Sequence, residues 1–127
     1  MAGRALIDPD APVNPVSVEN AIRTVSNEIA RGVNIVSTRL AAFRKADRVF
    51  ELAYSLAFRA FDGPQTEKRH EAVVSTIELR EARDDAEVIY KHAATAMSAL
   101  EKELTAWQTI NKTVAQMYGA AGADNGR

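Results

Sequence analysis

The sequence predicts an all-α protein: a long antiparallel two-helix hairpin of coiled-coil type that assembles into a homo-oligomer. Three observations carry this. Apolar residues recur at alternating steps of three and four over two long stretches, the period that keeps one helix stripe facing a partner. The six glycines and four prolines leave those stretches almost uninterrupted, with Gly32 alone inside the first. Between them stands Asp62-Gly63-Pro64-Gln65, a turn too short for anything but antiparallel neighbours.

Residues 1–14 carry Pro9 and Pro12, with Pro15 just beyond, and read as a flexible arm. Asn14 before Pro15 matches a helix N-cap followed by proline at the first helical position, and Ser17 is a second candidate cap. Helix one is expected over about 15–61, with the seam Val18, Ile22, Val25, Ile29, Val33, Val36, Leu40, Phe43, Asp47, Phe50, Tyr54, Ala57 and Phe61. Ile29 to Val33 is an extra step of four, a stutter that locally unwinds a supercoil. Gly32 lies inside it, as a hinge or as a close packing contact.

Gly63 can end helix one and Pro64 can open helix two. Helix two is expected over about 64–118. Its second half carries the clearest seam: Ala86, Tyr90, Ala93, Met97, Leu100, Leu104, Trp107, Asn111, Val114 and Tyr118. Each helix would be on the order of 65–80 Å long. Residues 119–127 are expected to be a disordered tail.

Folding at the turn pairs residues in a definite register. Gly32 then faces Ala93, Ala94 and Thr95. Asp47, the one charge on the first seam, falls opposite Arg80, the natural partner for a carboxylate taken from water. Asn111 is the kind of polar seam residue that sets register or oligomer state. The seam residues Asp47, Arg80, Leu100, Leu104, Trp107, Asn111 and Tyr118 therefore form the candidate core and oligomer contacts. Val49, Phe58, Val73, Val88 and Ile89 flank the seams, more apolar surface than two helices can cover.

The chain has 127 residues, one domain by length, and a net charge of −1. It has no cysteine, which removes disulfides and thiolate metal sites and is compatible with a reducing cytoplasm, the host's if the gene is viral. No apolar run suits a signal peptide or a membrane span. Glu67-Lys68-Arg69-His70 contains the Glu-x-x-His spacing of di-iron bundles, but the facing Ala57–Phe61 segment offers no carboxylate, so no metal or other cofactor is expected. His70 and His92 are distant in sequence, and no nucleophile constellation or phosphate loop is present, so no catalytic residue is assigned and the chain is not read as an enzyme.

Charge is unevenly spread. Residues 21–61 hold seven basic and three acidic side chains, whereas 64–118 hold seven basic and nine acidic. Arg44, Lys45 and Arg48 cluster off the helix-one seam and form a candidate phosphate-binding patch, with Arg31, Arg39, Lys68 and Arg69 as further candidates. A solvated coiled-coil face explains the same residues. The aromatic residues on the seams read as core, with Trp107 and Tyr118 the best placed to stack bases instead.

The second half resembles a group of small helical phage proteins. The resemblance rests on Thr66-Glu67-Lys68-Arg69-His70-Glu71-Ala72 at the opening of helix two and on Ala99-Leu100-Glu101-Lys102-Glu103-Leu104-Thr105-Ala106-Trp107-Gln108-Thr109-Ile110-Asn111-Lys112 near its end. It covers roughly 66–118, and helix one is similar only in being a helix. Proteins of this kind are similar to phage recombination mediators of the UvsY type. The resemblance implies an accessory of DNA recombination that binds single-stranded DNA as an oligomer and helps load a recombinase, annealing or single-strand-binding protein. The alternative is a coiled-coil scaffold, structural protein or inhibitor with a protein partner only.

Overall fold

The computed structural model describes residues 14–125, and the side chains of residues 14–119. The expected arm lies outside these residues except for Asn14, as do Gly126 and Arg127 of the expected tail. The described chain is all-helical: α1 (Pro15–Ala60), α2 (Gln65–Ser75) and α3 (Ile77–Asn125), with no strand among the described residues. None of these helices is long and apolar enough to cross a membrane.

α1 starts where its capping chemistry puts it. The Asn14 side-chain oxygen accepts from the Ser17 backbone N–H at 3.0 Å, and the Ser17 hydroxyl oxygen accepts from the Asn14 backbone N–H at 3.3 Å. This reciprocal pair satisfies two donors that a helix start leaves open. α1 stops before Phe61, and Pro64 precedes α2 with φ −61° and ψ 153°, as the cap rather than the first helical residue. Gly63 does not supply a left-handed cap, since no described glycine has positive φ. It supplies room: a Cβ there would stand 2.8 Å from the Phe61 ring.

The single helix expected over 64–118 is two helices. Thr76 leaves the helical conformation at φ −116° and ψ 12°, and its N–H reaches Val73 O at 3.4 Å. Its hydroxyl donates back to Ala72 O, and the side chain is 3% exposed. Val73, Val74, Thr76 and Ile77 are all β-branched, which lowers helix propensity, and a hydroxyl bonded to the preceding turn bends helices. α3 then runs through residues 119–125, in place of the expected disordered tail.

The chain divides into two compact units. Among the described residues, one combines 14–32 with 97–125. Its core is Val18, Ala21 and Val25 of α1 with Trp107 and Val114 of α3; Ile22, Ile29, Leu104 and Ile110 pack against it. Leu100 is half-buried. Three seam positions differ from expectation. Ile110 takes the inward place and Asn111 is exposed, because the helix advances from Trp107 by three and then four. Gly32, not Val33, faces inward: a Cβ on Gly32 would lie 2.6 Å from Met97 Cε, whereas Val33 is 53% exposed. Gly32 is therefore a close packing contact, and its partner is Met97 rather than Ala93 to Thr95. Tyr118 is exposed.

The other unit is Val33–Ala96. Phe43 and Tyr90 stack with ring centroids 6.2 Å apart, and Phe50 and Tyr54 meet at 6.1 Å. Asp47 pairs with Arg83 at 3.6 Å; Arg80, the expected partner, is exposed. The observed partners of α1 lie further along α3 than folding at the turn with a single second helix puts them. Only Ala72 and Thr76 are buried in this unit, among the described residues.

Candidate nucleic-acid interface

The basic side chains of α1 take different faces because successive residues turn by about 100° around the helix axis. Arg44 and Arg48 are one turn apart. With Ser37, Leu40 and Ala41 they line a shallow depression beside the seam. Both arginines are exposed, and neither has an ion-pair partner among the described residues. Lys45 is exposed on the back of the helix, a quarter turn or more beyond Arg44. Arg39 is exposed on the opposite flank, so the structure does not bring it to the Arg44–Arg48 depression, and Arg31 is exposed in the other unit.

Lys68 and Arg69, on α2, join a second feature of the Val33–Ala96 unit. Arg69 lines a groove with Tyr54, Ser55, Phe58 and Arg59 of α1. The Lys68 ammonium lies 5.6 Å from the centre of the Phe58 ring, a cation–π distance. Arg59, Phe58 and Ser55 were not singled out from sequence as site residues. The legible signal was Phe58 itself, an aromatic residue one place beyond the seam position Ala57 and so turned to the flank.

Arg83 is the other side chain that sequence reasoning missed. Its guanidinium lies 4.7 Å from the Phe50 ring centre, 3.6 Å from Asp47 and 3.0 Å from Asp84. The hydrogen bond to Asp84, with both carboxylates nearby, raises the Arg83 pKa above its ordinary value. This is a positioning device for α1 on α3: it holds a fixed charge against an aromatic face and uses up both lone carboxylates.

Trp107 is 6% exposed and Tyr118 is 54% exposed, so of the two only Tyr118 presents its ring to solvent. His70, His92 and Glu67 are exposed. No group of three His, Asp or Glu side chains stands close enough to hold a metal ion among the described residues.

The arrangement presents two guanidinium groups on one helix flank, two more around an aromatic groove, and hydroxyls at both. No protein-family model, no curated protein and no solved structure matches the chain.

Proposed function

We propose that the chain is a non-enzymatic DNA-recombination accessory protein, an antiparallel helical hairpin that self-assembles and holds single-stranded DNA by its phosphates. It hands that strand to a recombinase, an annealing protein or a single-strand-binding protein in the cytoplasm. The observation that carries this reading is the uncompensated pair Arg44 and Arg48, one turn apart beside the Ser37 hydroxyl. Lone guanidinium groups at helical spacing suit phosphates and read no sequence. Arg59 and Arg69 beside Tyr54 and Phe58 extend the same chemistry with aromatic edges on which bases can stack. The hairpin is supported by partner numbers that fall on α3 as they rise on α1 in one unit, Phe43 with Tyr90 and Asp47 with Arg83, and in the other by Gly32 against Met97 and a core shared between α1 and α3.

The test is single-strand binding titrated with salt. Arg44→Gln and Arg48→Gln together should weaken binding equally on all sequences. The slope of log K against log salt should flatten by about 0.7 for each phosphate that is no longer neutralised. Wild-type protein that fails to retain single strands at low salt would sink the nucleic-acid reading.

The second reading, a scaffold or inhibitor that contacts protein alone, is favoured by the exposed apolar residues Leu52, Leu56, Val74 and Val88. It predicts a size change on mixing with a protein partner and none with an oligonucleotide.

A further inference from the structure

The Val33–Ala96 unit carries two apolar stripes that its own packing leaves uncovered. On α1, Val49, Leu52 and Leu56 follow at steps of three and four, and Leu52 is 61% exposed. At about 100° per residue they lie opposite the seam residues Phe43, Asp47 and Phe50. On α2 and α3, Val73, Val74, Ile77 and Val88 are likewise exposed, Val88 at 67%. They turn away from Ala72, Thr76 and Arg83, the residues facing α1 or buried in the unit.

The two stripes carry opposite charge. Lys45 and Arg59 border the α1 stripe, and both are exposed. The two acids of α1 in this unit lie elsewhere: Asp47 sits on Arg83, and Glu51 stands beside Phe50 and Tyr54. Exposed Glu81 and Asp85 stand along the α3 stripe between Ile77 and Val88, with Glu78 at one edge and Arg80 at the other. Exposed apolar side chains set among charged ones mark an interaction face. A unit whose buried residues are Ala72 and Thr76 alone has little interior of its own.

We infer that the α1 stripe of one copy docks on the α2–α3 stripe of a second copy, a head-to-tail contact between different faces. Like-with-like pairing would set Lys45 and Arg59 against their own copies, and Glu81 and Asp85 against theirs. Head-to-tail pairing sets base against acid and steers the register. Each added copy leaves one stripe of each kind open, so assembly continues until a ring closes or a filament forms. This specifies the contact within the self-assembly just proposed, and rests on that half of the reading alone.

Two full-length variants test it: Leu52→Glu with Leu56→Glu, and Val74→Glu with Ile77→Glu. These side chains are exposed, so circular dichroism should show helix content unchanged; the matching Ser variants replace any that lose it. Sedimentation velocity at tens of micromolar should show wild type assembled and each variant monomeric. An equimolar mixture of the two should give a dimer that grows no further, because one intact stripe of each kind remains. A variant that still associates by itself would mean like-with-like pairing and overturn the head-to-tail contact, leaving self-assembly standing. A mixture that stays monomeric overturns it too. Wild type monomeric at this concentration overturns both the contact and self-assembly, and the salt-titrated DNA test is decided separately.

Discussion

At the residue scale, two side chains decide how α1 meets α3. Arg83 joins Asp47, Asp84 and the Phe50 ring, whereas Arg80 is exposed. Asp47 keeps some solvent, which screens the pair, so the loss on Arg83→Ala is set as much by the ring contact as by charge. Arg83→Ala should cost about 1–2 kcal/mol in urea unfolding and Arg80→Ala less than about 0.5 kcal/mol. Equal losses would put Asp47 back in contact with both arginines. Gly32 gives a second contrast. Ala at this site gains about 1 kcal/mol of helix propensity, and the terminal methyl of Met97, a flexible side chain, has to move. Gly32→Ala should therefore change stability by less than about 1 kcal/mol, while Gly32→Leu should cost about 1–3 kcal/mol by overpacking.

At the scale of the element, the start of α1 and the break at Thr76 are the informative places. Asn14→Ala removes the cap on Ser17 N–H and should cost about 1 kcal/mol, seen as a lower midpoint with an unchanged slope in denaturant. Thr76→Ala removes a β-branched residue and the hydroxyl that bonds Ala72 O. Ala favours continuing the helix, so α2 and α3 should fuse across residue 76. The measurable sign is a small rise in helical ellipticity, with a stability change of about 1 kcal/mol or less as gained propensity offsets poorer packing. A fall in ellipticity would mean that the Thr76 hydroxyl holds the two helices together rather than parting them.

At the scale of the whole molecule, the larger apolar side chains buried among the described residues are Val18, Val25, Trp107 and Val114. Trp107→Ala should cost about 3–5 kcal/mol, a large share of a typical domain's stability. The expected outcome is loss of cooperative melting at working temperature, read by calorimetry. Because the Val33–Ala96 unit leaves Leu52, Leu56 and Val88 in water, stability should be linked to self-association. The melting temperature of wild type should rise with protein concentration over a hundredfold range, and stay flat if the chain folds and functions alone.

Helical class, the start of α1 at Pro15, the turn around Gly63 and most inward positions were legible in the sequence. All four follow from local rules: seam spacing, capping chemistry and the punctuation of Gly and Pro. Val18, Val25, Leu104, Trp107 and Val114 could be named as inward-facing from spacing alone. Of the expected cluster Arg44, Lys45 and Arg48, helical spacing alone sets Arg44 and Arg48 one turn apart and turns Lys45 to another face. What only the tertiary structure decided is every relation across helices: Arg83 rather than Arg80 on Asp47, Gly32 on Met97, Ile110 in place of Asn111, and Arg59 with Arg69 around one groove. A step of three or four leaves a residue near the seam either way, and the choice is made by the partner helix. The break at Thr76 is of the same kind: a buried hydroxyl on a β-branched residue ends α2 in a stretch that no glycine or proline interrupts.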